Sequence, residues 1–211
     1  MKTRHSTFQC ILTAVVVAGL GLTLLAPTGF AGSQFFNVAS GDYATAGDWA
    51  GSIIPGNGNN EQSWIGTISG GAGTAVATYS TGTGYTTTDR FIIGLGASKS
   101  GTLTMNSSAG TLTFGGNAYY TANYIGVDGG TGVVNVDAGT LALNAGAYLR
   151  IGGNGSGANG TLNIGGGTVN ANSVVVARGT AVNTVTGAIN MTDGAFNLSN
   201  LALADTGTGQ G

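Results

Sequence analysis

The sequence is poor in charged residues, which make up 7% of the chain, with six Lys and Arg against eight Asp and Glu. Globular domains usually carry about 25%. A protein that binds nucleic acid needs a basic patch to neutralise phosphates, and a chain with so few cations is ill suited to build one. The composition therefore argues against nucleic acid as a partner. It also predicts a surface made mainly of uncharged polar side chains.

Histidine and cysteine occur once each, as His5 and Cys10, and both fall within the first 31 residues. If those residues are removed, the remaining chain has no imidazole for a catalytic triad or a metal centre. It also has no disulfide to constrain its unfolded state. Its stability must then come from backbone pairing and apolar packing.

Residues 1–31 have the features of a secretory signal peptide. Lys2 and Arg4 give a basic start, and residues 11–25 form an apolar run that is shorter than the roughly 20 residues of a membrane-spanning helix. Small residues precede a cleavage point near Ala31. We expect export to the extracellular medium or the cell surface, with a retained membrane anchor as the alternative. No later stretch is apolar enough to predict a transmembrane helix in the mature chain.

Glycine is abundant, with 41 residues, and it punctuates an internal repeat. The segment Gly-Thr-Leu-Asn-Ile at 160–164 has related copies that start at Gly101, Gly132 and Gly187. A second short apolar segment follows each copy, and a third, such as Arg-Ile-Gly at 150–152, precedes it. A fifth unit begins at 201–204. A period of roughly 25 residues is typical of solenoids.

Each segment alternates apolar and polar side chains, as expected of a strand with one buried face. Leu162 and Ile164 lie on one face, and Thr161 and Asn163 lie on the other. Stacked coils would align two interior ladders and leave Thr and Asn ladders outside. The interior ladders are Leu103, Val134, Leu162 and Ile189, and Phe114, Leu143, Ala171 and Leu198. Glycines, including those at 165–167, are expected to supply positive φ at the corners.

The pattern predicts an all-β protein: a right-handed parallel β-helix (β-solenoid) of about four to five three-strand coils with an N-terminal cap. The predicted organisation is a signal peptide at 1–31, a cap and first irregular coil at 32–88, repeats at 89–204 and a polar tail at 205–211. Glycine-rich disorder and a two-sheet β-sandwich are the alternatives.

The segment 32–88 is less regular and holds Trp49, Trp64 and Tyr85. Bulky aromatic residues suit a terminal cap, because the open end of a solenoid is an edge that would otherwise aggregate. The alternative is a carbohydrate-binding platform built from the same three rings.

A Trp-x-x-x-x-x-Pro-Gly pattern at 49–56, followed by repeated Ile-Gly and Gly-Thr-Leu-Asn units, resembles large secreted repeat proteins of Gram-negative bacteria. These are the autotransporter passenger-like β-helices and the surface proteins with a PEP-CTERM sorting tail. The resemblance covers about residues 35–204 and implies an outer-membrane or extracellular location. Those proteins end in a translocator barrel or a sorting tail. Residues 205–211 match neither, so the resemblance implies no anchoring mechanism, and the sequence is interpreted as a candidate fragment.

Motifs that carry chemistry are weak. A calcium-binding β-roll needs Asp where Val134 and Gly157 stand, and the glycine pairs lack the Lys and helix of a phosphate loop. Asp128 and Asp137 could share a cation, but solvated turn acids are the favoured interpretation. Arg150 and Arg178 lie near equivalent coil positions, a weak hint of anion contact. We assign no catalytic, cofactor-binding or metal residues.

The sequence therefore favours a secreted or cell-surface structural or adhesive β-solenoid, an adhesin-like protein without catalytic activity or cofactor. The alternative is a carbohydrate-binding module or a polysaccharide-degrading enzyme on the same scaffold, for which two carboxylates across an open groove would be diagnostic. Extracellular polysaccharide or matrix is the expected partner. Residues 201–203 start a coil with no recognisable cap, so we also expect self-association through this end.

Overall fold

The computed structural model describes residues 32–56, 61–67, 71–87, 89–115, 122–179 and 184–203, together with the backbone of 208–210. The predicted signal peptide lies outside these residues. The described part contains two short 3-10 helices, Ala46–Asp48 and Ala50–Ser52, and the following strands. They are β1 Ser33–Phe35, β2 Ser40–Asp42, β3 Gln62–Thr67, β4 Thr74–Tyr79, β5 Tyr85–Thr87, β6 Phe91–Leu95, β7 Ser100–Met105, β8 Thr111–Phe114, β9 Ala122–Val127, β10 Thr131–Val136, β11 Thr140–Leu143, β12 Tyr148–Gly153, β13 Asn159–Arg178, β14 Thr184–Leu203 and β15 Thr208–Gln210.

The strands pair in parallel as three long ladders. The first sheet contains β1, β3, β6, β9, β12 and the C-terminal parts of β13 and β14. The second contains β2, β4, β7, β10 and the N-terminal parts of β13 and β14, where β15 adds to β14. The third contains β5, β8, β11 and the middle parts of β13 and β14. The chain visits the sheets in turn, so β13 and β14 each cross all three.

This arrangement confirms the predicted all-β parallel solenoid, with about six turns. The expected four to five coils were too few, because β1 to β5, in the segment before the regular repeats, already belong to the same sheets. The right-handed sense of the coil stays a prediction. No helix in the described ranges is long or apolar enough to cross a bilayer.

The predicted strand parity is confirmed by the register. Val134 pairs with Leu103 on one side and Leu162 on the other, and Leu162 pairs with Ile189. Leu103, Val134 and Leu162 are fully buried. The first sheet contributes a further interior ladder, whose members are Ile65, Ile93, Ile125, Ile151 and Val176. A core built this way extends through the stack of coils as one continuous cluster.

Asparagine side chains form the predicted exterior ladder on the second sheet. The Nδ2 atom of Asn163 donates to Oδ1 of Asn135 at 2.8 Å, and Nδ2 of Asn190 donates to Oδ1 of Asn163 at 2.8 Å. In the earlier coil, Asn135 donates to the hydroxyl of Thr104 at 3.1 Å. These bonds link successive coils without introducing charge.

The corner glycines act in two ways. Gly126 has φ +70°, and a Cβ there would collide with the backbone of Asn159 on the next coil. Gly160 keeps an ordinary φ, but a Cβ there would collide with the backbone of Ile125. The expectation of positive φ at 165–167 is wrong, because none of these glycines is left-handed. There, absence of a side chain permits close approach to residues 136–138.

Aromatic residues fill the N-terminal end of the solenoid. Phe36, Tyr43 and Trp49 are at most 1% exposed. The Trp49 ring packs edge-on against Phe36 and Tyr43 at centroid distances of 5.1 and 5.0 Å. Its Nε1 donates to the carbonyl oxygen of Tyr43 at 2.8 Å. Tyr85 is also buried, at 8% exposed. Trp49 and Tyr85 are thus core residues, and they are not available as a sugar-binding platform.

Candidate adhesive surface

The outer face of the first sheet carries an unusual column of side chains. Because side chains alternate along a strand, the residue before each buried Ile or Val points outward. Cross-strand pairing stacks these outward residues from coil to coil. They are Phe35, Trp64, Ile92, Tyr124, Arg150, Val175 and Ala202. The column mixes aromatic, aliphatic and cationic side chains. On the second sheet, by contrast, the outward row that runs from Thr78 to Asn190 holds only Thr and Asn.

Arg150 is the centre of this column. Its guanidinium carbon lies 4.9 Å from the ring centroid of Tyr148 and 5.4 Å from that of Tyr124. Its Nη2 donates to the hydroxyl of Tyr148 at 2.9 Å, and its Nη1 donates to the hydroxyl of Tyr124 at 3.0 Å. A longer contact of 3.4 Å joins Nη1 to Oδ1 of Asn154. Two rings and three polar contacts therefore fix the guanidinium.

Among the described residues, the partners of Arg150 are all electrically neutral. Its partly buried positive charge is stabilised there by ring faces and dipoles. Its buried Nε atom has no hydrogen-bond partner within the same ranges. Each tyrosine hydroxyl accepts a bond from Arg150 and keeps its own proton to donate. The group is therefore equipped to bind an anion and hydroxyl-bearing molecules.

Arg90 and Trp64 extend this surface toward the N-terminal end. Both side chains donate to Oε1 of Gln62, Arg90 through Nε at 3.1 Å and Trp64 through Nε1 at 2.8 Å. The guanidinium of Arg90 lies 6.0 Å from the ring centroid of Tyr124. We call Trp64, Arg90, Tyr124, Tyr148 and Arg150 the arginine face.

A shallow depression of about 180 Å³ lies on this face, lined by Trp64, Arg90, Ile92, Leu95, Tyr124, Val127, Asp128 and Asn154. Arg178 belongs to the same sheet one coil beyond Arg150, where it pairs with Gly153. The arginines that follow residue 31 are Arg90, Arg150 and Arg178. The first sheet thus gathers them all.

The sequence interpretation found part of this surface. It placed Arg150 and Arg178 on neighbouring coils, which the register confirms. It grouped Trp64 with Trp49 and Tyr85, which the structure does not bring together, and it missed Tyr124 and Tyr148. A signal for Tyr124 existed: Tyr124 and Arg150 both stand directly before an Ile-Gly pair, so the repeat register alone puts them side by side.

The carboxylates occupy other roles. Asp42 accepts from the amide of Ala44 at 2.7 Å, and Asp48 accepts from the amide of Asp42 at 2.8 Å. Asp128 and Asp137 follow β9 and β10, and so lie at different corners of one coil. In the described ranges no three His, Cys, Asp or Glu side chains are grouped as a metal site would require.

Glu61 lies one residue before β3, and Asp89 lies two residues before β6. Because Ser63 pairs with Phe91, the same register places Glu61 and Asp89 at matching positions on successive coils. Burial raises the pKa of both carboxyl groups. Asp89 is fully buried, and its Oδ1 accepts from the amide of Arg90 at 2.8 Å. This contact makes Asp89 a structural acid at the start of a strand, although the period at which it repeats with Glu61 was not recognised from the sequence.

These raised pKa values predict a pH dependence of stability. Above their ordinary pKa values of 3.8 and 4.5, the unfolded state releases protons that the folded state retains. The free energy of unfolding should therefore fall as the pH rises through and above that range. Asp89→Asn keeps the acceptor for the Arg90 amide and should make the free energy of unfolding depend less on pH. Urea unfolding between pH 4 and pH 7 measures this dependence, and Asp137→Asn at an exposed position is the control. An unchanged slope in Asp89→Asn would contradict this assignment.

A second exposed surface lies at the last full coil. Met191, Leu201 and Leu203 in β14 are 50, 50 and 59% exposed. A cavity of about 330 Å³ opens there, lined by Val176, Ile189, Phe196, Leu198, Leu201 and Leu203. On this side β15 pairs with Thr184–Thr186 of β14. Among the described residues no strand pairs with the rest of this edge, so the backbone groups there could pair with a further strand.

No protein-family model, no curated protein and no solved structure matches this chain.

Proposed function

We propose that this protein is a secreted or cell-surface β-solenoid with a structural and adhesive role and without catalytic activity. In this proposal it belongs with the autotransporter-like and PEP-CTERM-type surface proteins of Gram-negative bacteria that its repeats resemble. The observation that carries the proposal is the arginine face. It gathers cationic and aromatic side chains on one side of a scaffold whose second sheet carries a ladder of neutral Asn and Thr side chains.

The chemistry of the depression favours binding over hydrolysis. Glycoside hydrolysis typically needs two carboxylates flanking the scissile bond. Among the described residues that line the depression, Asp128 is the one acid. Arg and Tyr, by contrast, are the residue types enriched at recognition surfaces. A rigid sheet that presents them from adjacent coils suits attachment to an extended partner.

Adhesion can be tested directly. Beads coated with residues 32–211 should be retained under flow on a surface of bacterial extracellular matrix, and the double variant Trp64→Ala, Tyr124→Ala should lose most of that retention. Val76→Ala is the matched control, because Val76 is 36% exposed on the second sheet, away from the arginine face. Retention no better than that of albumin-coated beads would overturn the adhesive role.

We further propose that the exposed last coil mediates self-association. Its apolar side chains and unpaired strand edge are a template for a second chain, and Asp193 is the one charged residue within β14. The occupant proposed is the same coil of a second copy, which brings an equally apolar surface.

Self-association predicts a concentration-dependent rise in mass by light scattering. Leu201→Lys with Leu203→Lys should shift the protein toward monomer, because two like charges would face each other across the contact. Ala145→Lys, in the exposed turn between β11 and β12, adds charge elsewhere and should leave the mass unchanged. A clean monomer at high concentration, with residues 195–203 protected from hydrogen exchange, would show that this end is already covered.

A further inference from the structure

We infer that the arginine face binds an acidic polysaccharide, a chain of pyranose rings bearing carboxylate or sulfate groups, laid along the solenoid axis. This inference rests on the proposed adhesive function and names the chemical class of its ligand. Three properties of the arginine face favour such a ligand: its charge, its hydrogen-bond donors and the spacing of its arginines.

Arg150 supplies the positive charge. Guanidinium groups bind carboxylates and sulfates well, and one Nη2 hydrogen of Arg150 remains after its three hydrogen bonds to Tyr124, Tyr148 and Asn154. The partners of Arg150 are two tyrosine hydroxyls, two ring faces and Asn154, and none of these neutralises it. A cation that is held in place without a counter-ion favours an anionic ligand. Asp128 is exposed at the neighbouring corner, so the anion should sit over Arg150 and away from that carboxylate.

The two tyrosine hydroxyls suit a hydroxyl-rich ligand. Tyr124 and Tyr148 accept bonds from Arg150, which leaves their hydroxyl protons to donate. The partly exposed Trp64 ring offers an apolar surface to the C–H groups of a sugar. Neutral donors beside a fixed cation and an aromatic ring match a pyranose that carries an acid group.

The coil spacing sets the distance between the two arginines. Arg90 lies directly before β6 and Arg150 lies in β12, and β9 pairs between these two strands. Their positions along the solenoid are therefore separated by twice the strand spacing, roughly 10 Å. This is close to the length of a disaccharide. Arg178 lies one coil further along the same sheet. A polymer with an acid group on every second sugar would therefore place its acid groups at the separation of Arg90 and Arg150.

The sheet geometry favours a sugar over an acidic peptide. Extended peptides bind chiefly by adding a strand to a sheet edge. The strands under Tyr124 and Arg150 are paired on both sides, β9 with β6 and β12, and β12 with β9 and β13. Their backbone groups are therefore satisfied, and the ligand must be recognised by side chains alone.

The inference is tested with residues 32–211 and three soluble probes: alginate as a polyuronate, dextran sulfate, and unmodified dextran as the neutral control. We expect alginate, dextran sulfate or both to bind and dextran not to bind, with binding that weakens as salt rises. Arg150→Gln should weaken binding about tenfold or more, the range expected for loss of a charge-assisted hydrogen bond. Lys99→Gln removes the same charge from a residue outside the arginine face and should change affinity less than about twofold.

Folding of the Arg150 variant is checked by its melting temperature, which should hold because the same column position carries Ile92 and Val175 in other coils. Arg150→Lys keeps the charge without the planar fork and should fall between wild type and Arg150→Gln. Equal binding of dextran and alginate, or wild-type affinity in a folded Arg150→Gln, would overturn the inference. So would tighter binding of poly-glutamate, since it would assign the face to an acidic protein. If the beads are retained on matrix but the acidic probes do not bind, this inference alone is contradicted. If the beads are not retained, the adhesive function is contradicted.

Discussion

Replacing Leu162 by Asp should unfold the coils around it. Leu162 is fully buried and stacks between Val134 and Ile189. The substitution removes apolar burial and places a carboxylate in a ladder of aliphatic side chains, at a cost of about 3–5 kcal/mol. Because domains are stable by only about 5–15 kcal/mol, that loss is a large part of the total. Urea unfolding monitored by circular dichroism measures it.

Asn163 provides the matched comparison, because it is the next residue and points outward. Asn163→Asp removes the hydrogen bond donated to Asn135 and places two oxygen atoms against each other. This should lower the free energy of unfolding by about 1 kcal/mol. Asn163→Thr should cost less, since Thr104 holds the same position two coils earlier and accepts from Asn135. Equal destabilisation by Leu162→Asp and Asn163→Asp would show that the strand parity is wrong.

Gly126→Ala should be strongly destabilising although the substitution is conservative. The left-handed backbone at φ +70° costs an alanine about 1–2 kcal/mol. The added methyl group would also collide with the carbonyl of Asn159, which belongs to the next coil and cannot rotate away as a side chain could. Relief requires the two coils to separate. We therefore expect a loss of about 3 kcal/mol or more in the free energy of unfolding.

Two other glycines distinguish the cost of left-handed backbone from the cost of the clash with the next coil. Gly146 has φ +84° but open space around its missing Cβ, so Gly146→Ala should show the backbone cost alone. Gly47 has neither a positive φ nor a close neighbour, so Gly47→Ala should hardly change the free energy of unfolding. Ala177 adopts φ +56° with a methyl group already present, which shows that left-handed backbone is tolerable at this type of corner. If Gly126→Ala and Gly146→Ala lose the same stability, the inter-coil clash is not the cause.

These variants separate the scaffold from the surface that is proposed to bind. Inside the first sheet the stacked positions hold only Ile or Val from Ile65 to Val176. Directly outside, the same strands carry Trp64, Ile92, Tyr124 and Arg150 in turn. The interior must repeat because each coil packs on the last. The exterior is free to vary, and that freedom allows one face to acquire the arginine–tyrosine chemistry.

Much of the fold could be read from local pattern. The alternation in 160–164 predicts which side chains are buried, and the roughly 25-residue period predicts which residues stack. Both follow from short-range geometry: a strand alternates its faces every residue, and a parallel coil places equivalent residues one strand spacing apart. The interior ladder of Leu103, Val134 and Leu162 was therefore predictable residue by residue.

Other features depended on how distant segments meet. Trp49, Trp64 and Tyr85 are equally aromatic in the sequence, yet Trp49 and Tyr85 are buried in the cap and Trp64 lies outside. Their environments are set by the packing of residues that lie far apart in the chain. The sequence spacing between the three aromatic residues does not predict that packing. The fixed guanidinium of Arg150 likewise needs Tyr124, from the preceding coil, at bonding distance. The repeat register can align two residues, but their side-chain rotamers and the exclusion of solvent determine whether they are in contact.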